Sequence, residues 1–284
     1  EAITGQDLVQ WQLRVAAGEE LPCKQDDLTI NGHAFEARLY AEDPDKGYLP
    51  QTGMLHHLKF PDDASARIDT GVELGDSVSV FYDPMIAKII VHGSDRADAL
   101  GKLQRALIGT EIAGLETNLD FLLGITETPQ FQKPRIDTSW LDRLKVPKGG
   151  WRRVQKSTPE ATAIAALHVI AKRGHAACLR AARSEDSFSP WFRTDGWRSI
   201  DLGHQDVRLS DIADTDVQHL MTATAHPEGG YDFLVGDTSV HAQLLDDGDV
   251  VIDDVRFAAN VVSINDQITV FIRDTRYVFS VIDP

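Results

Sequence analysis

The spacing of apolar positions changes once along this chain, and the change divides it in two. Over residues 1–145 helical and strand-like patterns are mixed. Leu8, Trp11 and Val15 fall at helical spacing behind Thr4-x-x-Asp7, a helix-start pattern, with Gly18 placed to end the helix. Residues 31–40 alternate, with Ala34, Glu36, Arg38 and Tyr40 on one face of a predicted strand. Further strands are predicted over 54–60, 77–81 and 86–91. Asp95 opens a helix with Leu100, Leu103 and Leu107 along one side, and 117–125 and 138–144 read as two more.

Residues 146–157 break the pattern. Pro147, Gly149 and Gly150 interrupt regular structure beside the basic Arg152, Arg153 and Lys156, so a linker is expected there. Thr158 then caps a predicted helix over 158–183. Its alanines, Ile164, Leu167, Val169, Ile170 and Leu179 lie nearly all round, and a helix apolar on every side must be enclosed. Gly174 weakens it by ~1 kcal/mol relative to Ala, enough for one kink. From Trp197 onward the period is two. Strands are predicted over 198–202, 206–210, 217–225, 231–235, 239–245, 250–252, 256–264, 267–272 and 277–282. Turn signals such as Pro227-Glu228-Gly229-Gly230 and Asp246-Asp247-Gly248 separate them. Evenly spaced short strands beside an apolar helix predict an antiparallel β-barrel over 197–284 wrapped around that helix. The fold class is therefore α+β, with domains at 1–145 and 158–284.

Composition adds exclusions. No run approaches the ~20 apolar residues of a membrane span. A net charge of −16 argues against nucleic acid or an anionic membrane surface as the main partner. Cys23 and Cys178 fit no metal spacing and imply no disulfide framework, so a reducing compartment is expected. The first residues read as the middle of a longer protein.

The first half carries four motifs in order: Ile3-Thr4-Gly5-Gln6-Asp7-Leu8-Val9, Glu36-Ala37-Arg38-Leu39-Tyr40-Ala41-Glu42-Asp43-Pro44, Tyr82-Asp83-Pro84-Met85-Ile86-Ala87-Lys88, and Gly114-Leu115-Glu116-Thr117-Asn118. Together they resemble the C-terminal subdomain of biotin carboxylase, the ATP-grasp enzyme of biotin-dependent carboxylases. The second half resembles the BT domain that follows it in acyl-CoA carboxylase α subunits, a long helix inside an antiparallel barrel. The stretch 8–22 is most similar to α subunits acting on 3-methylcrotonyl-CoA, with propionyl-CoA and geranyl-CoA carboxylases as alternatives. A purely structural assembly module without catalysis is a further alternative.

The resemblance implies an activity and its parts. ATP and bicarbonate carboxylate biotin, and the carboxyl group then passes to an acyl-CoA. This chain holds no glycine-rich ATP-grasp loop, no acidic Mg-binding segment and no Ala-Met-Lys-Met biotin-attachment motif. It is therefore expected to bind neither ATP nor Mg, to be inactive alone, and to meet biotin on a carrier domain outside this stretch. Arg38 matches the family's arginine that steadies the developing anion of biotin, a role suited to a permanently charged fork of donors. A strand ion pair with Glu36 is the plain alternative. Asp83 is implied as a second catalytic residue that orients Arg38 or the biotin ring, and Tyr82 as a biotin contact. Lys88 reads as a surface or contact residue. The segment 184–197 matches the family's connection to the carboxyltransferase β subunit. Phe188, Trp191, Phe192 and Arg193 are its expected anchors, and Trp197 the plug of the barrel end. No metal set is read from the sequence. His56 and His57 face opposite ways on a strand. Asp211, Asp214 and Asp216 lack the EF-hand glycine and glutamate. Ser187, Ser189, His204 and Asp201 have no nucleophile-elbow context. Bacterial cytoplasm is the expected location, with the mitochondrial matrix as alternative.

Overall fold

The computed structural model describes residues 1–62, 64–133, 136–153, 155–184, 189, 192 and 203–282, which form two units, Glu1–Arg152 and Arg153–Pro284. The predicted strand over 198–202 and Trp197 lie outside the described residues.

The first unit opens with α1 (Leu8–Ala16). Its cap is Asp7, whose carboxylate accepts from the Gln10 N–H at 3.0 Å, so the start lies three residues later than the Thr4 pattern suggests. The strands of this unit are β1 (His33–Tyr40), β2 (Glu42–Asp43), β3 (Leu49–Pro50), β4 (Gly53–Met54), β5 (His57–Lys59), β6 (Ala66–Thr70), β7 (Ser77–Val78), β8 (Met85–Gly93) and β9 (Glu111–Ala113). The predicted strand over 54–60 is thus two short ones, and that over 77–81 stops at Val78. Strands β1, β8 and β6 form an antiparallel sheet with β8 in the middle. Helix α2 (Arg96–Ile108), capped by Asp95, packs on one face of it through Leu103, Ala106 and Leu107 against Ala37, Ile89 and Val91. Each of the Leu, Ile and Val side chains, fully buried, contributes ~1.5–3 kcal/mol, and each alanine methyl less. The other face, bearing Glu36 and Arg38, stays open.

Helix α3 (Leu119–Glu127) follows β9, then α4 (Pro129–Gln132) and α5 (Trp140–Arg143), the last a single turn where a longer helix was predicted. Trp151 is buried in this unit, edge-on to Phe121 at 4.9 Å, with its backbone N–H donating to Asp45 at 2.8 Å. A Cβ on Gly124 would meet the Trp151 ring at 2.8 Å, so glycine permits this approach.

Strand β5 pairs with β9, which brings Glu111 against His57 at 2.8 Å and Lys59 at 3.3 Å. Burial alone would raise the Glu111 carboxyl; the His57 hydrogen bond and the Lys59 charge outweigh it and hold it below the usual range. A depressed folded-state value gives stability that is present above the unfolded value, about 4.3, and lost as pH falls through the folded one. Glu111→Gln should therefore cost the first unit on the order of 0.5–1 kcal/mol at pH 7 and progressively less below pH ~4. Urea unfolding at both pH values checks this, and an equal cost at each would refute it.

In the second unit α6 (Pro159–Ala182) is capped by Thr158, whose hydroxyl accepts from the Ala161 N–H at 3.2 Å. Around it run β10 (His204–Asp211), β11 (Gln218–Ala225), β12 (Tyr231–Val235), β13 (Thr238–Leu244), β14 (Val250–Ile252), β15 (Val255–Phe257), β16 (Ala259–Ile264), β17 (Gln267–Ile272) and β18 (Thr275–Val281). They form one antiparallel sheet in the order β15-β14-β13-β12-β11-β10-β18-β17-β16, a nearly closed barrel with β15 and β16 at its two edges. Alternate residues such as Leu209, Met221, Phe233 and Phe279 point inward onto Ile164, Leu167 and Ile170.

The helix is enclosed for only part of its length. Residues 161–170 are buried except for the half-buried His168; beyond them only Ala177 is buried, and Leu179 is 46% exposed. The expectation of enclosure throughout is corrected by simple dimensions. A 24-residue helix is roughly 36 Å long. Strands of 3–8 residues span at most about 27 Å, less when tilted around a barrel. The helix outruns its container. Asp211, one of the acidic cluster discounted for calcium, is buried and accepts from the N–H groups of Ser157 at 2.9 Å and Ala213 at 2.8 Å, a structural task.

Candidate functional site

Period two on β1 puts Glu36 and Arg38 together on the open face while Ala37 and Leu39 enter the core. Arg38 Nε donates to Glu36 Oε1 at 3.0 Å, and the Arg38 side chain is 60% exposed. Hydrogen bonds to Glu36 and to the Tyr40 side chain, with the Glu36 charge, push the Arg38 pKa above its ordinary value and keep the group cationic. The ion pair offered as the plain alternative therefore exists. It does not exhaust Arg38: guanidinium has five N–H donors, and Glu36 engages Nε.

Lys88 sits opposite Arg38 in the β1–β8 register, and its Nζ lies 3.2 Å from Asp69 on β6, which also accepts from Arg67 at 2.8 Å. The open face of the sheet thus carries Glu36, Arg38, Lys88, Asp69 and Arg67, with the two cations Arg38 and Lys88 side by side and each paired to its own carboxylate.

The end of β1 is held by Asn118. Preceding a helix, Asn is ordinarily a cap, yet its side chain makes no cap hydrogen bond to α3. Instead Oδ1 accepts from the Tyr40 N–H at 2.9 Å, and Nδ2 donates to the Arg38 carbonyl at 3.2 Å and to Glu42 Oε1 at 3.1 Å. The amide is buried, so each of these bonds matters. Gly114, four residues earlier, has φ +124, and a Cβ there would lie 2.1 Å from the Met54 carbonyl oxygen. Glycine is required for the chain to reach Asn118 along this path.

Asp83 lies exposed in the turn before β8, and the Ala41 N–H donates to the Pro84 carbonyl at 2.9 Å, which ties that turn to the end of β1. Burial raises the Glu42 carboxyl, Asn118 partly opposes this, and the Asp83 charge raises it again. Arg38 and Asp83 are thus placed on adjoining segments, tied by the Ala41–Pro84 backbone bond. Val80, Phe81 and Tyr82 are 77%, 85% and 84% exposed, three large apolar residues in a row at the rim. Asn118 and Glu42 were passed over in the sequence, although both stand inside the motifs; a buried amide ahead of an apolar run reads as a cap until the tertiary partner is seen.

Among the proposed β-subunit anchors, Phe188, Trp191 and Arg193 lie outside the described residues, as do Ser187 and Asp201 of the discounted triad. Phe192 is half-buried, and its N–H donates to the Ser189 carbonyl at 3.1 Å.

Two family models match in succession: "Biotin carboxylase C-terminal domain" over residues 36–143, and "Methylcrotonyl-CoA carboxylase, alpha-subunit, BT domain" over 158–284. The mitochondrial methylcrotonoyl-CoA carboxylase subunit alpha of Mus musculus is 39% identical over 240 residues, 84% of this chain and 33% of that protein. That of Oryza sativa subsp. japonica is 51% identical over 146 residues, 51% of this chain and 20% of that protein. A solved structure, the biotin carboxylase domain of the Hydrogenobacter thermophilus 2-oxoglutarate carboxylase with MgADP, ADP and bicarbonate, is 35% identical with a TM-score of 0.48, covering 50% of this chain and 31% of that one. The chain spans about a third of the length of the mouse relative. With its Arg38 motif on an open sheet and its helix-filled barrel, the chain belongs to the biotin-dependent carboxylase family, among the acyl-CoA carboxylase α subunits, as a biotin carboxylase C-terminal domain followed by a BT domain of methylcrotonyl-CoA carboxylase type.

Proposed function

We propose that this chain is part of the α subunit of a 3-methylcrotonyl-CoA carboxylase, in which biotin is carboxylated with ATP and bicarbonate and the carboxyl group passes to the acyl-CoA. The observation that carries this reading is the match of residues 158–284 to the BT domain of that carboxylase's α subunit. Domain limits at 1–145 and 158–284, joined by 146–157, fit the two matched ranges.

Biotin, presented by a carrier domain of the parent, would supply a ureido group that becomes nucleophilic on losing a proton. Arg38 would bind the ureido oxygen through donors not taken by Glu36, and a fixed cation there costs little reorganisation as charge develops. Its exposure and firmly held charge fit such an anionic oxygen. Asn118 would fix the register of β1, and with it the direction of Arg38. Asp83 would orient the ring or the guanidinium, and Tyr82 would close over the ring as part of the exposed apolar rim. ATP and Mg would be held outside this stretch, and no step on them is assigned to these residues.

The proposed partner is a carboxyltransferase β subunit, contacted through Phe188, Trp191, Phe192 and Arg193. The proposed location is the bacterial cytoplasm; the mitochondrial relatives favour the matrix as the alternative.

The test uses the purified full-length α subunit with its β subunit. Bicarbonate fixation should proceed with a kcat/KM for 3-methylcrotonyl-CoA at least about tenfold above those for propionyl-CoA and geranyl-CoA, the order expected from pocket discrimination between such acyl groups. A preference for either competitor would overturn the substrate assignment.

A further inference from the structure

Strand alternation on the outside of the barrel gathers three metal-binding side chains that the sequence scatters. In the register, Thr224 on β11 faces Asp232 on β12, which faces His241 on β13. Their neighbours Ala223, Phe233 and Ala242 point into the core, so Asp232 and His241 point outward. His226 lies two residues past Thr224, just beyond the end of β11, and keeps the same face. The result is compact. His241 Nδ1 and Asp232 Oδ1 are 2.8 Å apart, the His226 and His241 rings meet at a centroid distance of 4.6 Å, and one donor atom from each of the three residues falls within 4.8 Å of the others.

We propose that His226, Asp232 and His241 bind a divalent late-transition-metal ion of the zinc, cobalt or nickel class. Two imidazoles and one carboxylate suit these ions; calcium and magnesium demand oxygen donors. The spacing suits them too. With zinc–ligand bonds of about 2.0–2.1 Å, two ligands of one ion stand roughly 3 Å apart, close to the separation of Nδ1 and Oδ1. The metal takes the place of the hydrogen between these two atoms, and the proton of the neutral His241 ring resides on Nε2. His226 completes the set. Its Nδ1 accepts a 3.2 Å bond from the Glu228 N–H, and the ring gives up this bond to turn toward the ion. Water fills the remaining positions. A half-buried site with three protein ligands holds its ion modestly, and its effect is mechanical: it ties three consecutive strands of the barrel together at residues 226, 232 and 241.

The probe is Co(II), followed by its visible absorption, and Zn(II), followed by calorimetry, titrated into the full chain with any affinity tag removed. One equivalent should bind with a Kd below roughly 100 µM. His226→Ala and His241→Ala should each weaken binding by about tenfold or more, and Asp232→Asn, which keeps the shape, should do likewise. His175→Ala, on the exposed half of α6, should leave it unchanged. All four side chains lie on the surface or half-buried, so far-UV circular dichroism of the metal-free variants should match the parent. Weaker or non-saturable binding, or binding that survives loss of both His226 and His241, would overturn the site.

Discussion

Replacing Arg38 with alanine in the full-length parent should lower the carboxylation of free biotin by about 10²–10³-fold, the loss typical of removing one oxyanion donor. The expectation rests on placement. Arg38 is 60% exposed on an open sheet face, so truncation opens no core cavity, and surface changes of this kind usually alter stability by no more than about 0.5 kcal/mol. A large rate loss with an unchanged melting profile would then belong to chemistry. Arg38→Lys should rescue only part of it, because a compact ammonium keeps the charge but loses the planar fork. The KM for ATP should hardly move. Glu36→Gln separates the ion pair from the anion role: it removes the partner carboxylate and keeps the guanidinium. If Arg38→Ala carboxylates biotin at near-normal rate, the arginine serves its strand ion pair and the proposed site is wrong.

Leu167→Asp should unfold the second unit. Leu167 is 5% exposed among Ile164, Ile170 and the inward side chains of the barrel. An unpaired carboxylate there costs several kcal/mol, against a total stability of ~5–15 kcal/mol for a domain. The structure supplies its own control. Leu179 lies on the same helix, yet is 46% exposed beyond the barrel, so Leu179→Asp should melt as the parent does. Calorimetry of the full chain reads both variants, with the transition of the first unit as internal reference. A Leu167→Asp chain that keeps both transitions would mean that the helix is not enclosed.

The contrast between Leu167 and Leu179 marks where sequence reading ends. Both halves of α6 are alanine-rich; the second also carries Lys172, Arg173, His175 and Arg180, a polar signal that does not say where enclosure stops. That limit comes from the height of the barrel, a property of other strands. The barrel itself was largely legible, because its turns carry chemistry: Gly229 and Gly230 sit at positive φ, as do Asn265, Arg273 and Asp274. The break inside 256–264 was invisible, since an unbroken run offers no turn residue. In the first unit β6 was missed; Arg67 and Asp69 point to the open face and left only Ala66 and Ile68 as apolar signal. Arg38, Asp83 and Tyr82 were singled out by the motifs alone. The buried amide of Asn118, which holds the end of β1, needed a partner 78 residues away to be recognised.

Among the described residues the barrel has an odd number of strands, and this carries a topological consequence. Eight antiparallel steps lead from β15 to β16, so these two edge strands run in the same direction. A parallel crossover needs a dozen residues or more, and only Ala258 joins them. Residues 255–264 are therefore one continuous path that pairs with β14 through its first half and with β17 through its second, and the ring has eight directions. Every neighbouring pair but one is joined within a few residues along the chain. The exception is β10 with β18, where Leu209 meets Val281. Closure of that pair spans the longest stretch of chain in the ring, so it costs more loop entropy than any other single pairing.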